Sequence, residues 1–238
     1  METSPSSPTP ILWTMKTSTF RARVGGLIAL TALLAASALA QNAWINEFHY
    51  DNSGTDAGEF VEIAASSALT DLAAVRLTLY NGGDGSPYGS SHLLRSFTPG
   101  ETLSGFTLYY KLIGGLQNGA PDGLSLDLGG NVLDFLSYEG AFLGKGGPAD
   151  GLWSRDVGVL ESETGPAGGS LGLAGGGGGP LDFVWELSGT ATPGGINLGQ
   201  SLIPEPGAAS ILGLGGLVMW LGRRKRFVRP AASARRDP

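Results

Sequence analysis

"GLSLDLGGNVLDFLSY", residues 123–138, decides the fold class. Leu124, Leu126 and Leu128 alternate with Ser125 and Asp127. A period of two puts the leucines on one face of an extended strand. Gly129-Gly130 comes next, and glycine reaches the positive-φ conformations that a two-residue hairpin turn demands. Beyond the turn Val132, Asp134 and Leu136 alternate with Leu133, Phe135 and Ser137. The stretch reads as a β-hairpin.

The same texture extends in both directions. Residues 43–50 (AWINEFHY), 59–65 (EFVEIAA), 74–80 (AVRLTLY), 106–112 (FTLYYKL) and 182–187 (DFVWEL) each suit one short strand. Turn-forming clusters separate them: Asn52-Ser53-Gly54, residues 81–85 (NGGDG), and Pro121-Asp122-Gly123. No 3.6-residue periodicity is sustained. Many short strands with turn signals between them predict an all-β chain, an antiparallel sandwich or barrel.

The chain has 238 residues and no cysteine, so disulfides cannot hold it together and a packed core must. Residues 41–201 are enough to bury one. Charge is unevenly spread. Between Asn42 and Pro206 five basic residues stand against 19 acidic ones, a net charge of −14. Such a surface repels phosphate backbones and excludes nucleic acid as a partner. It favours solubility and divalent cations.

The ends differ from the middle. Lys16, Arg21 and Arg23 precede an apolar run at 24–39, and Ala38-Leu39-Ala40 is a small-x-small cleavage signature. This is the three-part pattern of a secretory signal peptide read by the Sec translocon, with cleavage after Ala40. Met15 starts the basic flank, so residues 1–14 read as an upstream extension. At the other end Pro204-Glu205-Pro206 precedes sixteen residues without a charge, 207–222, and then Arg223-Arg224-Lys225-Arg226. A helix over those sixteen would be about 24 Å long at ~1.5 Å per residue, a little short of the ~30 Å hydrocarbon core. Trp220 suits the membrane interface, and the arginines would remain cytoplasmic. The prolines stop any helix from running back into the domain.

Pro204-Glu205-Pro206, the short apolar span and the basic block at Arg223, Arg224 and Arg226 together resemble the PEP-CTERM sorting signal of Gram-negative bacteria. The resemblance covers residues 202–228 and implies recognition by an exosortase, a membrane-embedded cysteine protease-transpeptidase. Substrates of that kind are cut near the motif, then released or transferred to the cell surface, often alongside exopolysaccharide. The final residues, 229–238, form a basic cytoplasmic tail in this reading. That tail is longer than is usual in such signals.

The region between the ends resembles the lamin tail domain. The residues that carry the likeness are 45–64 (INEFHYDNSGTDAGEFVEIA), 115–140 (GLQNGAPDGLSLDLGGNVLDFLSYEG), 164–173 (TGPAGGSLGL) and 182–197 (DFVWELSGTATPGGIN). The resemblance implies an immunoglobulin-like antiparallel β-sandwich. Bacterial members often accompany secreted nucleases or other surface modules, and here the domain stands alone. The five glycines at 175–179 depart from the family pattern and read as a long flexible hairpin loop.

Several residues could carry chemistry. Asp51, Asp56 and Glu59 lie in an oxygen-rich loop with Asn52, and hard cations such as Ca²⁺ take six to eight oxygens. The spacing is not that of an EF-hand. The plainer reading is a turn capped by Asp and Asn side chains, with Gly54 and Gly58 at positive φ. Glu47 and Glu62 fall within apolar strands, where a paired or solvent-facing position is the plain expectation. His49 and His92 are the two histidines, and no G-x-S-x-G surrounds any serine. His49 with nearby acids is the one candidate for a hydrolase. Tyr50, Tyr80, Tyr88, Tyr109, Tyr110, Trp153 and Trp185 could stack on sugars or fill a core.

The expectation is an exported, non-enzymatic surface or matrix module without a cofactor. It would be sorted by an exosortase and held by a C-terminal membrane helix. Its partner would be exopolysaccharide or a surface protein. The alternatives are a calcium- or carbohydrate-binding adhesion module, and a secreted hydrolase using His49.

Overall fold

The computed structural model describes residues 43–204, apart from 163 and 167. The signal-like segment with Ala38 and Ala40 lies outside the described residues. So do Glu205, Pro206, the apolar run 207–222 and Arg223, Arg224 and Arg226.

Among the described residues the chain is all-β, broken only by two three-residue 3-10 turns, Leu94–Ser96 and Pro180–Asp182. The strands are β1 (Ala43–His49), β2 (Phe60–Ser66), β3 (Val75–Asn81), β4 (Pro87–Leu93), β5 (Thr98–Leu103) and β6 (Phe106–Leu112). They continue as β7 (Asp122–Leu128), β8 (Asn131–Tyr138), β9 (Arg155–Asp156), β10 (Ser170–Gly177), β11 (Val184–Ser188) and β12 (Gln200–Leu202). One sheet runs β11-β10-β1-β2-β6-β5, with β12 added beside β10; the other runs β4-β3-β7-β8-β9.

The two sheets share a core. Ile45, Phe48, Val61 and Ile63 from the first meet Leu77, Leu79, Leu124, Leu126 and Leu136 from the second. The first sheet buries its outer face as well. Trp44, Ala64, Leu108 and Leu173 lie there beneath Phe183 and Leu202. The Trp44 ring stands edge-on to Phe106 at 4.9 Å. A third cluster, Tyr80, Phe135, Phe142 and Ala149, covers the outside of the second sheet. Burial on both faces explains why β1 has no exposed residue, unlike the polar-out alternation of a one-sided sheet.

The β7–β8 hairpin forms as read, with Gly129 at φ 59° and Gly130 at φ 88°. Its alternation is broken, however. The register shifts between Leu126 and Asp127, and such a bulge turns following side chains to the other face. Val132 and Phe135 therefore both pack outward, while Leu133 packs on the shared core.

Three further expectations need correction. The glycine run is not simply a flexible loop, because Gly175, Gly176 and Gly177 complete β10, which lies inside the first sheet. Glycine is needed there by close approach: a Cβ on Gly172 would stand 3.0 Å from the Asn197 Nδ2, and one on Gly177 would stand 2.0 Å from the Asp182 Cβ. The sheets are not wholly antiparallel, since β10–β12 and β8–β9 run parallel. The strand expected at 182–187 begins at Val184, because the Asp182 carboxylate turns back to accept the Gly178 and Gly179 amides, both at 3.0 Å. No helix among the described residues is long and apolar enough to cross a membrane.

Candidate functional site

β1 carries the residues with chemistry, and it delivers them to two buried polar clusters. The first lies at its C-terminal end. His49 is 2% exposed. Its Nδ1 stands 2.7 Å from a Glu161 Oε1, and its Nε2 stands 3.3 Å from the Asn52 Oδ1. The other Glu161 oxygen accepts the amides of Tyr50 at 2.7 Å and Asp51 at 3.1 Å. The Glu161 amide in turn donates to the Tyr50 hydroxyl at 2.9 Å, and that hydroxyl donates to Glu139 at 2.8 Å. Burial pulls the imidazole pKa down, but the hydrogen bond and charge of Glu161 outweigh it and hold His49 above its ordinary value. Both ring nitrogens face protein acceptors. The charged imidazolium is the form that satisfies both.

Asn52 organises the loop that follows. Its Oδ1 accepts the Ala57 amide at 3.0 Å, and its Nδ2 donates to the Ser53 and Thr55 carbonyls. Gly54 at φ 89° and Gly58 at φ 80° take the positive-φ positions the sequence predicts. Asp56 accepts from the Asn52 amide and from the Asn118 side chain, and Glu59 accepts the Gly115 amide at 2.7 Å. Thus two of the three candidate calcium ligands serve loop backbone or a neighbouring amide. Among the described residues no three His, Asp or Glu side chains are grouped to hold a metal ion. A cleft of about 320 Å³ opens beside this cluster, lined by Asp51, Asn118, Glu139, Leu160, Glu161 and Ser162.

The second cluster lies on the outer face of the first sheet. Glu47 and Glu62 are cross-strand partners, 1% and 0% exposed. Neither faces solvent. Glu47 accepts from the Ser170 hydroxyl at 2.5 Å, and from the amide and hydroxyl of Thr192, both at 2.9 Å. Glu62 accepts from the Asn46 side chain at 2.9 Å and the Gly194 amide at 2.5 Å. Asn197 donates to the carbonyls of Asn46 and Leu173, and Gln200 donates to the Asn46 Oδ1. Together these bonds bolt residues 190–200 across the sheet. Burial pushes Glu62 up to about 8 and raises Glu47 as well.

The seven aromatic residues do not form one surface. Tyr50 and Tyr80 are fully buried, Tyr88, Tyr109 and Trp185 pack on the core, and Trp153 is 70% exposed. Sequence reading missed Glu161, Asn197 and Gln200. Each comes from a loop or short strand more than a hundred residues from its β1 partner, and nothing local marks it.

Comparisons with family models, with curated proteins and with solved structures give no match for this chain.

Proposed function

We propose that this protein is an exported, non-enzymatic surface or matrix module, sorted through its C-terminal segment by an exosortase. At the finer level we read the two-sheet domain as an immunoglobulin-like sandwich of lamin-tail kind. The observation that carries the reading is the exposure of the residue that opens the motif. β12 ends at Leu202, and Ile203 and Pro204 are exposed. The next two residues complete Pro204-Glu205-Pro206. Proline disfavours helix, so a proline-bounded segment that opens at an exposed Pro204 would offer its backbone to a protease. His49 and Glu161 support a structural rather than a hydrolytic role, because each is engaged by buried partners.

The test is the intact mass of the mature protein from its native host, with and without the exosortase. A C-terminus near Pro206 that depends on the exosortase is the expected result. A chain still carrying residues 207–238 in the presence of the enzyme would overturn the sorting reading.

A further inference from the structure

Three exposed apolar side chains lie at the end of the domain that carries Pro204. Leu181 is 82% exposed, Val184 62% and Ile203 53%. They belong to one tip. Val184 pairs with Ala174 on β10, the 3-10 turn carrying Leu181 links the two strands, and the Ile203 amide donates to the Gly177 carbonyl at 2.8 Å. Three large apolar side chains exposed at one end of a domain mark a surface that something apolar can cover. Residues 170–204 contain no Lys or Arg, and Asp182 at the tip is folded back onto the Gly178 and Gly179 amides. Asp182 is the one charged residue in 173–184, so the tip is otherwise apolar on a strongly acidic domain.

The length of chain beyond the tip says what covers it. From Ile203 to the first residue of the uncharged run, Gly207, is four residues, a reach of at most about 14 Å when fully extended. The headgroup layer on each side of a bilayer is itself roughly 5–8 Å thick. A helix over residues 207–222 would be about 24 Å long, shorter than the hydrocarbon core, and such mismatch would draw flanking residues toward the bilayer.

We infer that Leu181, Val184 and Ile203 form a membrane-resting tip, set against the lipid surface while the chain is anchored. The inference rests on the anchored reading above. Contact is apolar rather than electrostatic, so it needs no anionic lipid and persists at high salt. The short tether supplies the high local concentration that three side chains alone would not.

The absence of cysteine gives a clean test. The full chain carrying Leu181→Cys, or separately Val184→Cys, is labelled with an environment-sensitive fluorophore and reconstituted into phosphatidylcholine vesicles. Ser53→Cys is the reference; it lies beyond the opposite end of β1, hydrogen-bonded to Gly165. Flotation first establishes that the chain is embedded. In floated protein, nitroxide-bearing lipid should remove most of the emission at 181 and 184 and little at 53, in low and high salt alike. Floated protein with unquenched labels at 181 and 184 would overturn the inference and leave the anchor intact. A blue shift there without lipid quenching would mean that the chain itself or a second copy of it covers the tip, and would overturn the inference too. A chain that fails to float would overturn the anchored reading itself, and the tip with it.

Discussion

Glu47 and Glu62 stand directly opposite each other on neighbouring strands, and both carboxylates hold the same covering segment. Like charges placed opposite each other in a sheet repel, and removal from water penalises each ionised form. The arrangement is relieved when one of the pair binds a proton. Glu62, pushed up to about 8, is the one that does so near neutrality.

Stability should therefore fall as pH rises. A carboxyl whose folded value exceeds its unfolded value of 4.5 stabilises fully below the unfolded value. That contribution is lost between about pH 4.5 and 8. At about 1.4 kcal/mol per unit it amounts to at most on the order of 5 kcal/mol. Glu47 and His49 are both raised and act in the same direction, the histidine contribution fading above its ordinary value of 6.5. Thermal melts from pH 5 to 9 should show a falling midpoint, and Glu62→Gln should flatten that slope. A midpoint that climbs with pH would refute the account.

Glu161 should be the costliest single polar residue to remove. Its loss would strand the Tyr50 and Asp51 amides and leave His49 without its counter-ion. Glu161→Ala should cost about 3–5 kcal/mol, the range for breaking a buried pair on one side. His49→Ala should cost less, and the double variant less than the sum of the two. Urea unfolding of the three variants measures this.

Two adjacent glycines should behave differently. A Cβ at Gly177 collides with Asp182 at 2.0 Å, whereas one at Gly176 meets the Ile203 Cδ1 at an ordinary 3.9 Å. Gly177→Ala should destabilise by about 2 kcal/mol or more through overpacking. Gly176→Ala should be within about 0.5 kcal/mol of the parent. Equal effects in denaturant titrations would show that glycine serves backbone freedom here and not close approach.

Two tryptophans give a comparable contrast. Trp44 is fully buried beneath the covering segment, and Trp153 is 70% exposed. Trp44→Ala should cost about 3–5 kcal/mol as a large core truncation. Trp153→Ala should stay within about 0.5 kcal/mol. The check is the unfolding midpoint of each variant at a common pH.

The strands that were legible were those with apolar periodicity, such as β1, β6 and the β7–β8 hairpin. β4 and β5 were not, because they are exposed edge strands whose pairing rests on backbone hydrogen bonds rather than on a hydrophobic face. β10 was hidden by its glycines, which tertiary crowding requires and local propensity disfavours. In the polar clusters His49, Glu47 and Glu62 were visible as residues, but not as buried ones. Their burial depends on Glu161, Thr192 and Gly194, which only the folded chain brings near.

β1 is the first described strand, yet it lies between β2 and β10, and Glu47 pairs with Gly172 roughly 125 residues later. Chains emerge from the ribosome N-terminus first, so one edge of β1 must wait for almost the whole domain to be made. Loop closure over that distance makes such pairing slow. The final lock comes later still, when Thr192, Gly194, Asn197 and Gln200 close over the sheet. Topology thus defers completion of the first sheet until residues 170–200 have been made, whatever the earlier strands have already paired.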